Sequence, residues 1–389
     1  MNGTIMYISG GQWDGVPGTD RLLAEALSVR ARVLWVDQPV SVARDGNVRR
    51  HTVRSFRGVP EPVAPTVSRL RVPSLPGFSR PVVRRSTEAI ARWTMRSAAR
   101  RVGDGLAGVV NASPLVHFPR QLSAPRLLHL TDDWLASAEL MGLSRKHLER
   151  VLMSNIAAAD VVTAVSPALV QKFSEFSGRK VEFLPNGCRT PVPAEFGTVR
   201  PPVAVLVGQL NERLDFATLS ELGRTELPVI VLGPRTEREQ HARRSLDEFL
   251  SRPNVDWRGE VSALEVAKVL ATAAIGLTPY TDSEFNRSSF PLKTLEYLAS
   301  GVPVVAADLP ATRWISSDFV KIATTPRDFV DLVRSGLETE LTCEQRRRIQ
   351  SSAQQHTWDV RAEKLLSLLG EQQTTEPVGQ RAPRHIGSK

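Results

Sequence analysis

The feature that most narrows the possible folds is an alternation of short apolar runs with helical patterns, which proceeds along half the chain and then begins again. Thr4-Ile5-Met6-Tyr7-Ile8-Ser9 runs into Gly10-Gly11, a helical pattern covers Thr19 to Val29, and Arg32 to Asp37 is a second apolar run. That is a βαβ opening. Further strands are expected at Gly108 to Asn111, Arg126 to Leu130, Asp160 to Val165 and Val181 to Leu184. Helices are expected at Pro81 to Arg101, Leu135 to Ala157 and Pro167 to Phe176. Asp45 to Gly77 carries Pro, Arg and Val without helical period and reads as irregular, with one strand around Arg69 to Val72.

The alternation restarts beyond a cluster of Pro191, Pro193, Pro201 and Pro202. Val203 to Gly208, Pro228 to Gly233, Val255 to Trp257, Ile275 to Pro279 and Val302 to Ala306 give five expected strands. Helical patterns lie between them at Asp215 to Leu222, Arg238 to Ser251 and Ala263 to Ala273. One last helix, Glu344 to Leu369, precedes a polar tail. The chain therefore divides into a first Rossmann-like domain over 1–190, a linker over 191–202 and a second such domain over 203–343. A helical segment at 344–370 returns toward the first domain, and a disordered tail covers 371–389. Two doubly wound α/β domains are expected to face each other across a cleft at the carboxyl ends of their strands.

Composition excludes several classes. The 389 residues are 41% apolar, enough for sizeable cores, and no run approaches the roughly 18 apolar residues a membrane span needs. Met1 to Gly10 reads as a strand and not as a secretory leader, so a cytoplasmic chain is expected. Two cysteines, Cys188 and Cys343, make neither a disulfide framework nor a metal cluster. His117, His129, His147 and His356 lack metal-ligand spacing, there is no DxD motif, and no obligatory metal or cofactor is expected. A formal charge of +9 favours nucleotides, phosphates or an acidic membrane surface as partners. Nothing in the pattern points to nucleic acid.

Within the second half, Asn286 to Ala306 concentrates the chemistry. Ser288 and Ser289 are expected N-caps, Pro291 suits a first helical turn, and Gly301 with Pro303 is a stop signal. Unpaired N–H groups and the positive end of the helix dipole at such a start favour a phosphate. Lys293 either reaches a diphosphate or is an ordinary surface lysine.

Pro185-Asn186-Gly187, Val207-Gly208, Leu232-Gly233-Pro234 and above all Phe290-Pro291-Leu292-Lys293-Thr294-Leu295-Glu296-Tyr297-Leu298-Ala299-Ser300-Gly301-Val302-Pro303-Val304-Val305 resemble the GT-B glycosyltransferases of family 4. With Trp13-Asp14-Gly15 and Asp132-Asp133-Trp134, the first half more closely resembles the branch typified by teichuronic-acid glycosyltransferases. The resemblance implies a nucleotide sugar (UDP-, GDP- or dTDP-linked) in the second domain, an acceptor mainly in the first, and transfer with retained configuration. Glu296 then matches the carboxylate that accepts both ribose hydroxyls. Eight residues earlier the family carries a second glutamate near the donor sugar, and here that position is Ser288. The donor-binding set is accordingly Glu296, Ser288, Ser289, Phe290, Pro291, Leu292 and Lys293, with Gly208 and Gln209 after the first strand. Where the family uses two basic groups on the diphosphate, this chain has Gln209 at the first position, and Arg213 is the candidate for the second. Arg213 either takes that role or pairs with Glu212 or Asp215.

In the first half, Asp132 and Asp133 end a strand. They either orient an acceptor hydroxyl or act as base, or they cap the next helix. Gly10, Gly11, Asn111 and Asn186 are expected on loops lining the cleft. Gly10-Gly11, Gly15 and Asp37 loosely match a dinucleotide fingerprint, but their spacing does not fit. Arg85, Arg92, Arg96 and Arg100 share one face of the Pro81 to Arg101 helix, with Trp93 at the edge of the opposite, apolar face. That face either meets anionic lipid, as an acceptor on a polyprenyl carrier would suit, or is merely solvated. The resulting expectation is a retaining glycosyltransferase acting on a cell-surface glycan precursor at the inner membrane face. The alternatives are a sugar-nucleotide epimerase of the same fold and a non-catalytic nucleotide-sugar or glycan binder.

Overall fold

The computed structural model describes residues 3–15, 17–41, 54, 56–76, 81–136, 138, 144–191, 202–290 and 292–374. The chain groups into two compact units. One comprises Met1–Val165, Leu169–Leu184 and the chain from Arg361 onward; the other comprises Ser166–Ala168 and Pro185–Val360.

The sheet of the first unit runs, in spatial order, Glu182–Phe183, Val161–Ala164, Arg126–Leu130, Leu106–Asn111, Thr4–Ile8, Arg32–Val36, Val67–Leu70 and Glu61–Ala64. All neighbours pair parallel except the last two strands, which form an antiparallel edge. Thr4–Ile8 is buried along its whole length. A parallel strand covered on both faces needs a continuous apolar run and not an alternating one, which is why this segment was legible. The chain builds outward from Thr4–Ile8 on one side and then returns to Leu106–Asn111 on the other. That reversal is a topological switch point.

The second sheet repeats the plan: Val255–Trp257, Val229–Leu232, Ala204–Val207, Ile275–Thr278, Val304–Ala307 and Val320–Ala323, all parallel. Its switch point falls between Ala204–Val207 and Ile275–Thr278. Leu206, Val231, Leu277 and Val305 from the strands meet Leu219, Phe249 and Phe329 from the helices in one buried cluster. Burying a side chain of this size contributes roughly 1.5–3 kcal/mol.

Several expectations are corrected. The strand expected around Arg69 to Val72 is present two residues earlier, at Val67–Leu70, and the stretch otherwise read as irregular also contains its antiparallel edge partner Glu61–Ala64, which is only partly buried. The second sheet has six strands, not five. Val320–Ala323 was missed because only its two ends are buried. Helices Pro310–Ile315 and Pro326–Glu338 were also missed; the second is capped by Thr325 Oγ, which accepts the Asp328 N–H at 3.1 Å. The single last helix is three elements, Cys343–Ala353, a 3-10 turn Gln354–His356 and Trp358–Thr374. A bridge that ties Cys188 to Thr357 interrupts it, with the Cys188 N–H on His356 O and the Trp358 N–H on Cys188 O, both at 2.9 Å. The helical turns continue to Thr374, so Glu371 to Thr374 are not part of a disordered tail. The remaining tail and linker residues 192–201 lie outside the described residues, as do 137 and 139–143 of the expected Leu135 helix, whose described part is Arg145–Ala158.

Candidate functional site in the second unit

The loops that leave the two switch-point strands are zipped together. After Val207 comes 208–215, and after Thr278 comes 279–289; the Asp215 N–H donates to Pro279 O at 2.8 Å and the Thr281 N–H to Arg213 O at 2.9 Å. Gly208 has φ +146° with open space where a side chain would project, and Gly233 packs so closely that a Cβ there would come within 1.8 Å of Gly208 O. Only glycine fits this pair, and it leaves backbone accessible at the strand end. Gln209 beside it is exposed.

Arg213 is held from three sides. Its Nε donates to Asn286 Oδ1 at 2.9 Å, and its guanidinium carbon lies 4.9 Å from the Phe285 ring centroid and 5.3 Å from that of Tyr280. Asn286 in turn donates through Nδ2 to Arg213 O and Thr281 O, both at 2.9 Å. The acids that could have neutralised Arg213 are engaged elsewhere. Glu212 Oε1 accepts the Arg238 and Glu239 N–H groups, while Asp215 caps Phe216–Gly223 through the Ala217 N–H and the Thr218 hydroxyl. Arg213 makes no ion pair among the described residues, so the alternative of a pair with Glu212 or Asp215 is set aside. Asn286 was read only as the start of a motif; its role as the clamp on Arg213 needs the fold.

Helix Leu292–Ala299 follows the second loop. It closes in a Schellman turn, with the Val302 N–H on Tyr297 O at 3.0 Å and the Gly301 N–H on Leu298 O at 2.9 Å, as the glycine signalled. Its start differs from expectation. Ser288 ends a separate short helix, Glu284–Ser288, and Ser289 is that helix's C-cap; both are buried. The Ser289 N–H donates to Phe285 O at 3.0 Å, and its hydroxyl donates to the same oxygen at 2.9 Å. Neither serine is therefore an N-cap, and the Ser289 amide is not free for a phosphate. The Phe290 N–H has no hydrogen-bond partner among the described residues; Pro291 lies outside them. Phe290 is buried and packs edge-on against Trp314, which packs edge-on against His356.

Glu296 and Lys293 are both half-buried and pair at 2.6 Å, one turn apart. A surface pair of this kind is worth about 0–1 kcal/mol, so either partner can exchange it for a ligand. Tyr297, on the opposite face, is fully buried.

The candidate residues of the first unit group less tightly. Asp133 is buried; its Oδ1 accepts the Ala136 N–H at 3.0 Å and its Oδ2 takes Lys172 Nζ. It thus closes the turn Trp134 to Ala136 and caps no described helix. Asp132 is half-buried beside it. Asn111 is also structural, with Nδ2 on Val116 O and Oδ1 accepting the Ser113 N–H. Gly10 and Gly11 sit at the switch point, but their amides are taken: the Gly10 N–H donates to Asp20 Oδ2 at 2.8 Å and the Gly11 N–H to Ser9 Oγ at 2.8 Å. Asp20 also accepts the Ser9 and Tyr7 hydroxyls, and burial raises its pKa to about 6. Asp37 takes the Trp13 N–H, the Trp35 indole N–H and Arg69 Nε, which leaves it no role on a ribose. Asn186 is buried in the second unit, beside the Cys188 bridge.

On helix Pro81–Ala99 the exposed stripe is Arg85, Ala89, Trp93 and, past its end, Arg100, with Arg96 at its margin. Trp93, expected at the edge of the apolar face, is 54% exposed at the centre of this stripe. Arg92 leaves it and is half-buried. Among the described residues no helix is long and apolar enough to cross a membrane, and no group of three or more His, Cys, Asp or Glu could hold a metal ion.

Residues 201–338 match the family described as glycosyl transferases group 1 and form a domain of it. Over 116 residues the chain is 34% identical to a Bacillus subtilis (strain 168) protein, TuaH, whose name provisionally makes it a teichuronic acid biosynthesis glycosyltransferase. That match takes in 29% of this chain and 28% of the relative's length. Among solved structures, sucrose-phosphate synthase from Thermosynechococcus elongatus superimposes with a TM-score of 0.70 at 14% identity, over 96% of this chain and 100% of the other. HepE of Anabaena in complex with UDP and glucose gives 0.66 at 16%, over 96% and 99%. The UDP-forming alpha,alpha-trehalose-phosphate synthase of Burkholderia xenovorans, with glucose-6-phosphate, gives 0.65 at 11%, over 94% and 99%. The fold is GT-B.

Proposed function

We propose that the chain is a glycosyltransferase of cell-surface polysaccharide synthesis, which moves a sugar from a nucleotide to a glycan or polyprenyl-linked acceptor with retained configuration. One observation carries the reading: Arg213, locked by Asn286 and free of any described carboxylate, shares the switch point of a group 1 domain with open backbone at Gly208 and a helix that carries Glu296. A fixed guanidinium and a helix start suit a diphosphate leaving group, whose charge must be stabilised as the bond to the anomeric carbon breaks. Glu296 would exchange Lys293 for the ribose hydroxyls, leaving the lysine to the phosphates. UDP, the nucleotide in the HepE complex, is the first to test.

In the first unit, Asp132 is the carboxylate we assign to an acceptor hydroxyl, with Asp133 and Lys172 holding the turn beneath it. Ser288 is buried where the family carries a carboxylate, so the donor sugar would be held without one. Trp93 among Arg85, Arg96 and Arg100 supports contact with an anionic membrane surface, since an indole and arginines both favour the headgroup region.

A thermal-shift screen with UDP-, GDP- and dTDP-sugars, followed by an assay for free nucleoside diphosphate on adding acceptor, tests the reading. Binding with acceptor-dependent release is expected. Binding without release would favour a binder, epimerised nucleotide sugar an epimerase, and no binding would sink the donor site.

A further inference from the structure

Ser9, Gly10 and Gly11 leave the strand Thr4–Ile8 at the switch point of the first sheet, the place where open α/β sheets bind ligands. Backbone bonds tie this turn to both neighbouring strands. The Ser9 N–H donates to Val36 O at 3.0 Å, the Gln38 N–H to Gly11 O at 3.1 Å, and the Ala112 N–H to Ile8 O at 2.8 Å. None of these bonds depends on pH.

The remaining tie is a carboxylate. Asp20, in the first turn of helix Thr19–Ser28, accepts the Gly10 N–H at 2.8 Å and the Ser9 hydroxyl at 3.0 Å on Oδ2, and the Tyr7 hydroxyl at 3.2 Å on Oδ1. The Gly11 N–H donates to Ser9 Oγ at 2.8 Å. Both glycine amides therefore end on Asp20, one directly and one through Ser9. Gly10 is hemmed in as well, since a Cβ there would come within 3.2 Å of Ala112 O and 3.5 Å of Asp20 Oδ2.

Ionised, Asp20 offers an acceptor to all three donors. Protonated, it carries a hydrogen that must itself be donated. On Oδ2 that hydrogen meets the Gly10 amide and the Ser9 hydroxyl, and on Oδ1 it meets the Tyr7 hydroxyl. Tyr7 and Ser9 are fully buried, so either way a buried hydrogen loses its acceptor. Burial raises the Asp20 pKa to about 6, which brings the exchange of the two forms close to neutral pH. Tyr7 is pushed far above its ordinary pKa by burial and by Asp20, and it stays a donor throughout. The other charges of the surrounding elements are engaged. Arg21 pairs with Glu25 and lies over the Trp13 ring, while Asp14 and Asp37 both pair with Arg69. The loop from Ala112 to Pro114 carries no charge.

We propose that Asp20 is a positioning residue, whose ionised carboxylate holds the Gly10–Gly11 turn in the shape that sugar transfer needs and releases it on protonation. That the turn serves transfer rests on the glycosyltransferase reading; the hold on the turn does not. The buried charge lowers stability above pH 6, yet it is the form that satisfies every donor of the turn. Stability is given up for a fixed geometry.

The test follows the Gly10 and Gly11 amide signals of the full chain by NMR, with isotope-labelled glycine, from about pH 5 to about pH 8. Both signals should move together with a midpoint near pH 6 in the wild type. In Asp20→Asn both should stay still. In Ser9→Ala, which keeps the test available if Asp20→Asn fails to fold, Gly10 should still titrate and Gly11 should not. The ratio of wild type to Asp20→Asn in kcat/KM for acceptor should be about tenfold at pH 7 and near one at pH 5, following the ionised fraction. Still glycine signals in the wild type, titrating ones in Asp20→Asn, Gly11 titrating unchanged in Ser9→Ala, or one kcat/KM ratio at both pH values would overturn the proposal. Titrating glycines without acceptor-dependent release of nucleoside diphosphate at any pH would fail the glycosyltransferase reading alone.

Discussion

The Tyr297 hydroxyl accepts the Val207 N–H at 2.8 Å and reaches Leu277 O at 3.4 Å. It thus stands between the two switch-point strands just where their pairing stops at Leu206 and Leu277. Its ring lies on Gly276, where a Cβ would come within 2.5 Å of it. One side chain therefore fixes the helix that carries Glu296 to the strand end that carries Gly208.

Removing that hydroxyl should be felt as stability. In Tyr297→Phe the Val207 N–H is left buried and unpaired, at a cost of about 1–3 kcal/mol. Gly276→Ala forces the ring to move and should cost at least as much. Denaturant unfolding of both variants measures this; a loss below about 0.5 kcal/mol would mean the contact does not hold the helix.

Arg213 should depend on Asn286. Asn286→Ala leaves the charge but frees the guanidinium, so nucleotide-sugar affinity should fall about tenfold, and Arg213→Lys should fall at least as far because the fork geometry is lost. Calorimetric titration of each variant is the measurement. Equal affinity in Asn286→Ala would remove the clamp from the account.

Asp20 gives a pH signature. Its pKa in the folded chain is raised to about 6 from 3.8, chiefly by burial, with its hydrogen bonds pulling the other way. The native state binds this proton more tightly than the unfolded one, so the contribution is present below about pH 4 and lost as pH rises through about 6. At about 1.4 kcal/mol per pH unit the ceiling is about 3 kcal/mol, and the side chain's partial exposure lowers it. The difference in stability between wild type and Asp20→Asn should therefore change between pH 4 and pH 6.5 and be flat above. A flat difference throughout would contradict the raised pKa.

Membrane contact separates the arginines. Co-sedimentation with phosphatidylglycerol vesicles should drop on Trp93→Ala and on joint replacement of Arg85, Arg96 and Arg100 by Gln. It should stay nearly constant in Arg92→Gln, because Arg92 is half-buried on the side of the helix that faces Leu115 and His117 and not on the exposed stripe. No drop in the first two variants would leave this face merely solvated.

Most of the fold was legible because a parallel sheet covered on both faces writes itself as continuous apolar runs: Thr4–Ile8, Ala204–Val207 and Ile275–Thr278 carry no alternation to misread. Val320–Ala323, buried only at its ends, and Glu61–Ala64, a partly buried edge strand, carried too weak a signal. The donor helix was legible from its glycine stop. Its start was misassigned because Ser288 and Ser289 have the residue type of N-caps for the donor helix, although they close the short helix before it. The clamp of Asn286 on Arg213 joins residues 73 positions apart, which local pattern cannot join.

The most direct measurement of the central claim is calorimetric titration of UDP, GDP and dTDP into wild type and Glu296→Ala. One nucleotide should bind the wild type, and the variant, stripped of its ribose acceptor but not of Arg213, should bind it about 10–100-fold more weakly with its unfolding midpoint little changed. Undiminished binding by Glu296→Ala, or no binding of any of the three to the wild type, would contradict a nucleotide site at this helix.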